Sequence, residues 1–474
     1  MAPERGAGFR GWKTTRRWAR VVLWETVQYL GTRVRREGKD SPMIERRTPL
    51  YDFHFRSARN VIKGGGDFMF PTSYTSPVEE HLNVRRNVGM QDLSTMGEVD
   101  VKGPGAERLV RRLLVNEVRD MEPGQLRYST MCNERGGIVD DVTVYKFDDE
   151  HFMIVTGSGP RLKAYRWISE HAEGSSAYVT DVTAAVALPV VQGPRSRRFL
   201  KSVVEGVDLD SLRFFRFATG RVGGVELIIS RSGYTGELGY ELYTPADQAG
   251  ALWEFLLDKG REFDLRPYGV EAMQSLRIEK SLPLYGPDIS EDDTPFHVGL
   301  SRWIRLEKRD FVGREALLRL QERGLERRWT GLTLESEVPA TAGAKVFSVG
   351  DVATFREVVE TGAEAGEYED TLMPGDRQVG RVTSSAMGHS VGRMLAMAYL
   401  DTAHSWPGNN LIVEINGRPI PAKVSPTPFF DPENARIRSE PAEDERRSEP
   451  RPVPATNSRQ NVPARQSSNG GSGS

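Results

Sequence analysis

The chain has 474 residues, of which 38% are hydrophobic and 27% charged, and its formal net charge is −2. This length allows two or three domains with a large buried core, and the near-neutral charge gives no support for a nucleic-acid-binding protein. The single cysteine, Cys132, excludes an internal disulfide and any multi-cysteine zinc or iron–sulfur site within one chain. These features predict a soluble multi-domain enzyme of a reducing compartment, which we expect to be cytoplasmic.

Residues 1–43 form a predicted basic extension. The first 40 residues contain ten Lys or Arg against four Asp or Glu, and apolar side chains recur at helical spacing over residues 12–36. This pattern predicts an amphipathic helix that could lie on an anionic membrane surface or dock on a partner protein. A surface helix packed on the main domain is the alternative. Charged residues interrupt the apolar stretch, so we do not expect an export signal.

Strand-like and helix-like segments alternate between residues 44 and 325, and strands dominate between 326 and 436. In the first part, the predicted strands are 142–147, 152–156, 225–230 and 239–243, and the predicted helices are 160–172, 246–259 and 270–280. In the second part, the predicted strands are 329–334, 378–384, 394–400, 411–415 and 420–424. This order indicates an α+β body followed by a small all-β domain.

Two further segments differ in composition from their surroundings. Residues 340–374 combine small side chains with an acidic run, which is typical of an insertion between strands. Residues 437–474 are dominated by Pro, Ser, Glu, Arg and Asn. Such a segment cannot bury enough apolar surface to offset the entropy of ordering, so we predict a disordered tail.

The segment 136–145 combines a glycine turn with two adjacent carboxylates. A pair of glycines favours a hairpin, and Asp140 and Asp141 follow near the start of an otherwise apolar strand. Because neighbours on a strand point to opposite faces, only one of the two carboxylates can face a given cavity. Tyr145 shares a face with Asp141, so a carboxylate and an aromatic ring would line one surface. A strand-end aspartate that caps the turn is the alternative interpretation.

A second segment, residues 232–242, is rich in glycine and tyrosine. Its three glycines permit a tight loop by which the backbone can approach a ligand. The ring of Tyr234 could stack on a planar ligand, and the carboxylate of Glu241 could accept hydrogen bonds from ring N–H groups. Taken alone, such a loop is equally typical of an ordinary turn.

Together these two segments resemble the glycine cleavage system T-protein family, the tetrahydrofolate-dependent aminomethyltransferases. The resemblance continues in family order through residues 48–51, 84–98, 192–194, 275–279, 284–286 and 310–317, and it covers about residues 48–430. The fold that this resemblance implies has three lobes around a central folate channel and a C-terminal β-barrel, within the α+β class.

The resemblance also implies roles for individual residues. Asp141 matches the family's catalytic aspartate, whose carboxylate lies near N5 of tetrahydrofolate and orients it for attack on the one-carbon donor. The folate-binding residues that it implies are Tyr128, Tyr145, Tyr234, Glu241, Met96 and Arg436. Among them, Glu241 would hold the pterin and Arg436 the anionic glutamate tail. The seven histidines show no paired spacing, so we expect no metal site.

Four departures from the family pattern leave the one-carbon donor open. Thr95 stands where the family usually has a histidine, and Met273 stands where it has an arginine. Residues 156–159 lack the family's asparagine, and residues 66–71 replace its usual Gly-Trp-x-Met-Pro wording. One candidate donor is an aminomethyl group on a lipoylated carrier protein. The alternative is a methyl group on a small amine, sulfonium or ether, as in folate-dependent demethylases.

A third interpretation is a non-catalytic folate-binding relative that assists iron–sulfur assembly. That group is marked by a Lys-Gly-Cys-Tyr-x-Gly-Gln-Glu segment, which this chain lacks. We therefore predict a tetrahydrofolate-dependent one-carbon transferase that passes its group to N5. Its expected partners are folate and, if the donor is an aminomethyl group, a lipoylated carrier protein. We expect no nucleic-acid partner.

Overall fold

The computed structural model describes residues 46–63, 68–349 and 377–441. The predicted basic helix at 12–36, the acidic run of the predicted insertion and nearly all of the predicted tail lie outside these ranges. Within the ranges, no helix is both long and apolar enough to cross a bilayer.

The described chain forms helices and strands in alternation. The helices are α1 (Tyr51–Ser57), α2 (Pro77–Arg86), α3 (Ala106–Leu113), α4 (Arg161–Ala172), α5 (Ser196–Lys201), α6 (Ala249–Lys259), α7 (Val270–Glu279) and α8 (Arg314–Arg323). The strands of the body are β1 (Arg46–Arg47), β2 (Asn60–Lys63), β3 (Phe68–Ser73), β4 (Val88–Asp92), β5 (Gly97–Lys102), β6 (Gln125–Cys132), β7 (Ile138–Asp148), β8 (His151–Thr156), β9 (Tyr178–Asp181), β10 (Val186–Ala187), β11 (Pro189–Gln192), β12 (Val204–Glu205), β13 (Phe217–Val222), β14 (Val225–Ser230), β15 (Gly239–Pro245) and β16 (Leu265–Pro267). The C-terminal strands are β17 (Arg327–Leu334), β18 (Lys345–Ser348), β19 (Gln378–Gly388), β20 (Arg393–Asp401), β21 (Asn410–Ile415) and β22 (Arg418–Ser425).

These strands build three open sheets and a closed barrel. A three-stranded sheet has the order β1-β3-β2, and a five-stranded sheet has the order β6-β7-β8-β5-β9. An eight-stranded sheet follows the path β12-β13-β14-β15-β11-β4-β16, and β10 pairs with β15 beside that path. The barrel closes in the order β17-β20-β19-β18-β21-β22. The predicted α+β class with a C-terminal β-barrel is therefore confirmed.

The two faces of the five-stranded sheet pack against different partners. Val142 and Val144 point to the face that α3 and α4 cover, where they join one hydrophobic core. Tyr145 points to the opposite face and packs with Val190 and Tyr243 of the eight-stranded sheet. Side chains of β7 thus alternate between two hydrophobic cores. Every second one points into the space between the two large sheets.

The local predictions agree with most of these elements. The strands predicted at 142–147 and 152–156 form β7 and β8, and the helices predicted at 160–172 and 270–280 form α4 and α7. The strands extend beyond their predicted bounds, as β7 (Ile138–Asp148) does, and the helix predicted at 246–259 begins late, because residues 246–248 form a 3-10 turn before α6.

The predicted insertion at 340–374 is wrong at its beginning. Residues 345–348 form the barrel strand β18, which pairs with both β19 and β21. Val346 is fully buried in the barrel core. The small residues before it conceal this short strand in the sequence, because a four-residue strand carries little periodicity of its own.

The predicted disordered tail also begins too early. Ser439 is buried, and its carbonyl oxygen accepts hydrogen bonds of 2.8 Å from both Arg197 and Arg231. These two arginines lie in the body of the protein, so the polar composition of the segment does not reveal that its backbone is held there.

Candidate active site

The hairpin of β6 and β7 positions Asp141. Gly136 adopts a positive φ of 81° in the connecting turn, a conformation that favours glycine. Thr130 of β6 pairs with Asp141, and Tyr128 lies two residues before Thr130 on the same strand. The Tyr128 hydroxyl donates a hydrogen bond of 3.0 Å to Oδ2 of Asp141. Both side chains are half-buried, so the pair remains accessible from one side.

Asp140 points away from Asp141 into the protein. It is fully buried, and its Oδ2 accepts a 3.0 Å hydrogen bond from the backbone N–H of Gly157. Its Oδ1 has no hydrogen-bond partner among the described residues. The expectation that only one of the two carboxylates faces a given surface is confirmed by this arrangement.

Burial sets the protonation of the two carboxyl groups. It raises the pKa of Asp141 to about 6, the charge of Asp288 adds to this, and the hydrogen bond from Tyr128 opposes it. Burial, followed by the charge of Asp141, raises the pKa of Asp140 well above its ordinary value of 3.8. Two adjacent carboxyls in a poorly solvated place do not both ionise readily. Ionisation of Asp140 is therefore disfavoured both by burial and by the neighbouring Asp141.

A second polar group lies further along the same face of β7. The Tyr145 hydroxyl lies 2.9 Å from Oε2 of Glu241 and 2.9 Å from the hydroxyls of Ser230 and Tyr243. Tyr243 also donates to Glu241 at 3.0 Å. Burial raises the pKa of Glu241, and these tyrosine hydrogen bonds oppose the shift. Within the described ranges, Glu241 has no ion-pair partner within 4.0 Å.

Tyr234 and Met96 supply less polar surface nearby. The Tyr234 hydroxyl donates to the carbonyl oxygen of Pro283 at 2.6 Å, and its ring packs against the cluster that contains Met273. Burial raises the pKa of Tyr234, and the charge of Asp141 adds to this shift, whereas the charge of Arg277 opposes it. Met96 packs against the cluster of Tyr145. Four of the other predicted folate-binding residues, Tyr128, Tyr145, Tyr234 and Met96, therefore lie on the surface that carries Asp141 and Glu241.

Arg436 is placed differently from the other predicted residues. Its Nε donates to both carboxylate oxygens of Glu237, at 2.8 and 2.7 Å, and its Nη2 donates to the carbonyl oxygen of Arg85. Its guanidinium also lies over the ring of Phe430. In the part of the chain that the structure describes, Arg436 makes no hydrogen bond to the other predicted site residues. Its charge is already balanced by Glu237.

Three of the departures from the family pattern also lie here. Thr95 shares a 2.7 Å hydrogen bond with Ser158, so two hydroxyls stand where the sequence lacks the family's histidine and asparagine. Met273 is almost fully buried beside Tyr234. None of the three places a charge next to Asp141.

Sequence reasoning missed several residues of this site. Tyr243 lies two positions after Glu241 and therefore on the same face of β15, so strand periodicity could have revealed it. Lys163 donates to the hydroxyl of Tyr285 at 2.5 Å and to Glu291 at 2.7 Å, and its charge acts on Asp140. Tyr285 and Glu291 both lie more than 100 positions from Lys163 along the chain, so no local sequence pattern joins them to it.

Comparison with known proteins agrees with this architecture. The chain matches the GCVT N-terminal domain over residues 50–308 and the glycine cleavage T-protein C-terminal barrel domain over residues 327–431. The aminomethyltransferase of Moorella thermoacetica is 36% identical over 385 residues, which are 81% of this chain and 98% of that protein. The aminomethyltransferase of Halothermothrix orenii is 34% identical over 81% of this chain and 100% of its own.

A solved structure shares the fold. The crystal structure of glycine cleavage system aminomethyltransferase T from Bartonella henselae aligns with a TM-score of 0.72 at 29% identity, over 82% of this chain and 99% of that one. The fold and site thus define an enzyme of the T-protein type. The chain belongs to the glycine cleavage T-protein family, as its sequence motifs predicted.

Proposed function

We propose that this enzyme transfers a one-carbon unit to N5 of tetrahydrofolate and takes it as an aminomethyl group from a lipoylated carrier protein. One observation carries the proposal: a single face of β7 presents the Asp141 carboxyl, held by Tyr128, and further along it Tyr145, bonded to Glu241. A carboxyl that titrates near neutrality and a carboxylate with hydroxyl partners are thereby aligned on one surface.

The chemistry of these residues fits a reduced pterin. A pterin offers flat faces and several ring N–H donors, which require aromatic or apolar walls and a carboxylate acceptor. Glu241 supplies the acceptor, and the hydroxyls of Tyr145 and Tyr243 fix its orientation. Tyr234 and Met96 supply the walls. We propose these residues as the folate site, whereas Arg436 can reach a glutamate tail only if it shares or exchanges Glu237.

Asp141 is proposed as the catalytic carboxylate. Tetrahydrofolate, when bound, supplies the N5 amine that takes up the one-carbon unit. A carboxyl with a pKa of about 6 is mostly ionised at pH 7, so it can accept a hydrogen bond from N5 and carry a proton as charge changes there. Tyr128 holds the carboxyl in one orientation. Burial raises the pKa of Asp140 on the opposite face, which disfavours a second negative charge beside Asp141.

The remaining organisation is proposed on the same basis. We assign residues 44–325 to the folate-binding body and 326–436 to the barrel lobe, in accordance with the matched ranges 50–308 and 327–431. The aminomethyltransferase names of the relatives support the aminomethyl donor. A cytoplasmic location accords with this function.

The donor is tested directly with the purified full chain. Tetrahydrofolate is supplied with either an aminomethylated lipoyl carrier or a panel of methylated amines, sulfoniums and ethers, and the folate product is identified by mass spectrometry. We expect 5,10-methylene-tetrahydrofolate and ammonia with the carrier alone. Formation of 5-methyl-tetrahydrofolate from a small methylated donor would contradict the aminomethyl donor and support the demethylase alternative. Absence of folate binding would overturn the proposal as a whole.

A further inference from the structure

A cavity of about 510 Å³ lies apart from the residues described above. It is bounded by β1 and β3 of the small sheet, the first residue of α4 and the segment that follows β9. Its lining residues are Arg46, Arg47, Thr48, Pro49, Phe68, Ser94, Arg161, Asp181, Thr183, Ala184 and Val186. None of them belongs to the proposed folate site, and the volume is within the range of small-molecule sites.

The lining carries an excess of positive charge. Three arginines face one aspartate, which leaves two positive charges unbalanced. Among the described residues, Arg46, Arg47 and Arg161 form no ion pair within 4.0 Å, whereas the buried Arg85 and Arg277 each pair with a carboxylate. Within the described ranges, the charge around this cavity is therefore not neutralised by ion pairs.

Arg161 is the buried member of the three. Only 8% of the residue is exposed, and within the described ranges its Nε has no hydrogen-bond partner. Its guanidinium carbon lies 5.0 Å from the ring centre of Phe68, which holds the side chain against the cavity wall. A guanidinium that is withdrawn from water without a partner is costly, and an anion offers it paired hydrogen bonds.

The nearest acids do not relieve this cost. Glu98 is almost fully buried, and neither of its carboxyl oxygens has a partner among the described residues. Burial raises the pKa of Glu98 well above its ordinary value of 4.5, and the charge of Arg161 opposes this shift, so ionisation of Glu98 is disfavoured. Burial and the charge of Arg46 both lower the pKa of Arg161, and the charges of Asp181 and Glu98 oppose this shift without forming an ion pair within 4.0 Å among the described residues.

We propose that this cavity binds a small dianion, either a phosphate group or a pair of carboxylates, through Arg161 and Arg46. The planar guanidinium of Arg161 is suited to two-point contact with such oxygens. Phe68, Pro49 and Val186 form an apolar wall that receives the uncharged part of the molecule. The hydroxyls of Thr48 and Ser94 already donate to Asp92, so the arginines carry the binding.

The test is a calorimetric titration of the full chain, without folate, with inorganic phosphate in one series and malonate in the other. The two series distinguish a phosphate site from a dicarboxylate site, and binding of either supports the proposal. Arg161→Met keeps the length of the side chain and removes its charge. We expect this variant to bind about 10–100-fold more weakly, as the loss of a charge-assisted hydrogen bond predicts.

Arg166→Met is the matched control, because Arg166 is exposed on the same helix and does not line the cavity. It should bind as the unmodified protein does. Arg46→Met provides a second variant at the edge of the cavity and should also weaken binding. Equal affinity of the Arg161→Met and Arg166→Met proteins, or no binding of either anion to the unmodified chain, would overturn the proposal.

Thermal unfolding separates a ligand-binding arginine from a structural one. Without anion, Arg161→Met should unfold at the same temperature as the unmodified protein or higher, because an unpaired buried charge is removed. With anion, the unfolding temperature should rise for the unmodified protein and for Arg166→Met only. A clear loss of stability without anion would identify Arg161 as a structural partner of Glu98 and contradict the proposal. No readout depends on one-carbon transfer.

Discussion

Buried carboxylates in two regions of this protein have opposite surroundings. Beneath the barrel, Glu279 lies 2.8 Å from Arg85, and Asp288 lies 2.5 Å from Arg277. Between the two large sheets, Asp141 and Glu241 are held by tyrosine hydroxyls, and within the described residues neither has a cation within 4.0 Å. The first pattern joins the barrel to α2 and α7, and the second leaves acids facing a shared surface.

The difference separates acids that are fixed in their ionised form from an acid that can titrate near neutrality. Burial opposes ionisation of Glu279, but the hydrogen bond from His81 and the charge of Arg85 prevail and lower its pKa to about 2. At Asp141 a single tyrosine hydroxyl does not overcome burial, and the pKa is about 6. A carboxyl fixed in its ionised form holds elements together, whereas one that titrates near neutrality can take part in proton transfer.

Replacing Asp141, the proposed catalytic acid, should have the largest effect on the rate of one-carbon transfer. In Asp141→Asn the side chain keeps its size but can no longer accept a proton, so we expect the single-turnover rate of one-carbon transfer to fall by about 10²–10⁴-fold. Tetrahydrofolate affinity should change much less, because Glu241 and its tyrosines remain. Asp258→Asn, at an exposed position of α6, is the matched control and should retain full activity.

Replacing a structural acid should reduce stability instead. Glu279→Gln turns N–H groups towards Arg85, so the free energy of unfolding in urea should fall by about 3 kcal/mol at pH 7. The unmodified protein should lose this contribution only as the pH falls from about 4.5 towards 2, because Glu279 has a depressed pKa in the folded state. Glu254→Gln, at an exposed position of α6, should change stability by less than about 0.5 kcal/mol. An unchanged stability of Glu279→Gln would show that the ion pairs beneath the barrel contribute little.

Glu241→Gln tests whether folate binding and catalysis depend on different residues of the proposed site. The amide retains one acceptor but loses the charge that ring N–H donors favour, so tetrahydrofolate should bind about 10–100-fold more weakly. The rate at saturating folate should fall less than in Asp141→Asn. Calorimetric titration with tetrahydrofolate measures the affinity. The same affinity as in the unmodified protein would place the pterin elsewhere.

Asp140→Asn should have the smallest effect and appear only in pH dependence. A raised pKa in the folded state means that the stability from neutral Asp140 is present below pH 3.8 and is lost as the pH rises through the raised value. The variant cannot ionise, so it should exceed the unmodified protein in unfolding free energy at high pH and show a flatter profile. Parallel pH profiles for the two proteins would show that Asp140 does not titrate in the folded state.

Local rules explain how far the sequence predicts this molecule. The period of two in β7 places Asp141 and Tyr145 on one face, and the glycine turn before it defines the hairpin. Those features depend on neighbours in the chain, and family motifs add Tyr128, Tyr234 and Glu241. The barrel follows from a succession of strands, although the short β18 is missed.

What the sequence does not predict is decided by distant partners. Tyr145 and Glu241 are 96 positions apart and belong to different sheets, and Arg436 meets Glu237 across 199 positions. Arg161 follows a loop as an ordinary first helical residue, and only the packing of three sheets surrounds it with a cavity. Charge balance in such places depends on tertiary contacts that no local period encodes.

The most direct test of this account compares Asp141→Asn and Glu279→Gln in the same two assays, single-turnover transfer to tetrahydrofolate and unfolding in urea. We predict that Asp141→Asn loses at least about 100-fold in transfer rate with no loss of stability, and that Glu279→Gln loses about 3 kcal/mol of stability while its folded fraction transfers at nearly the normal rate. Full activity in Asp141→Asn, or equal losses of both properties in both variants, would contradict the assignment of Asp141 as the reacting carboxylate.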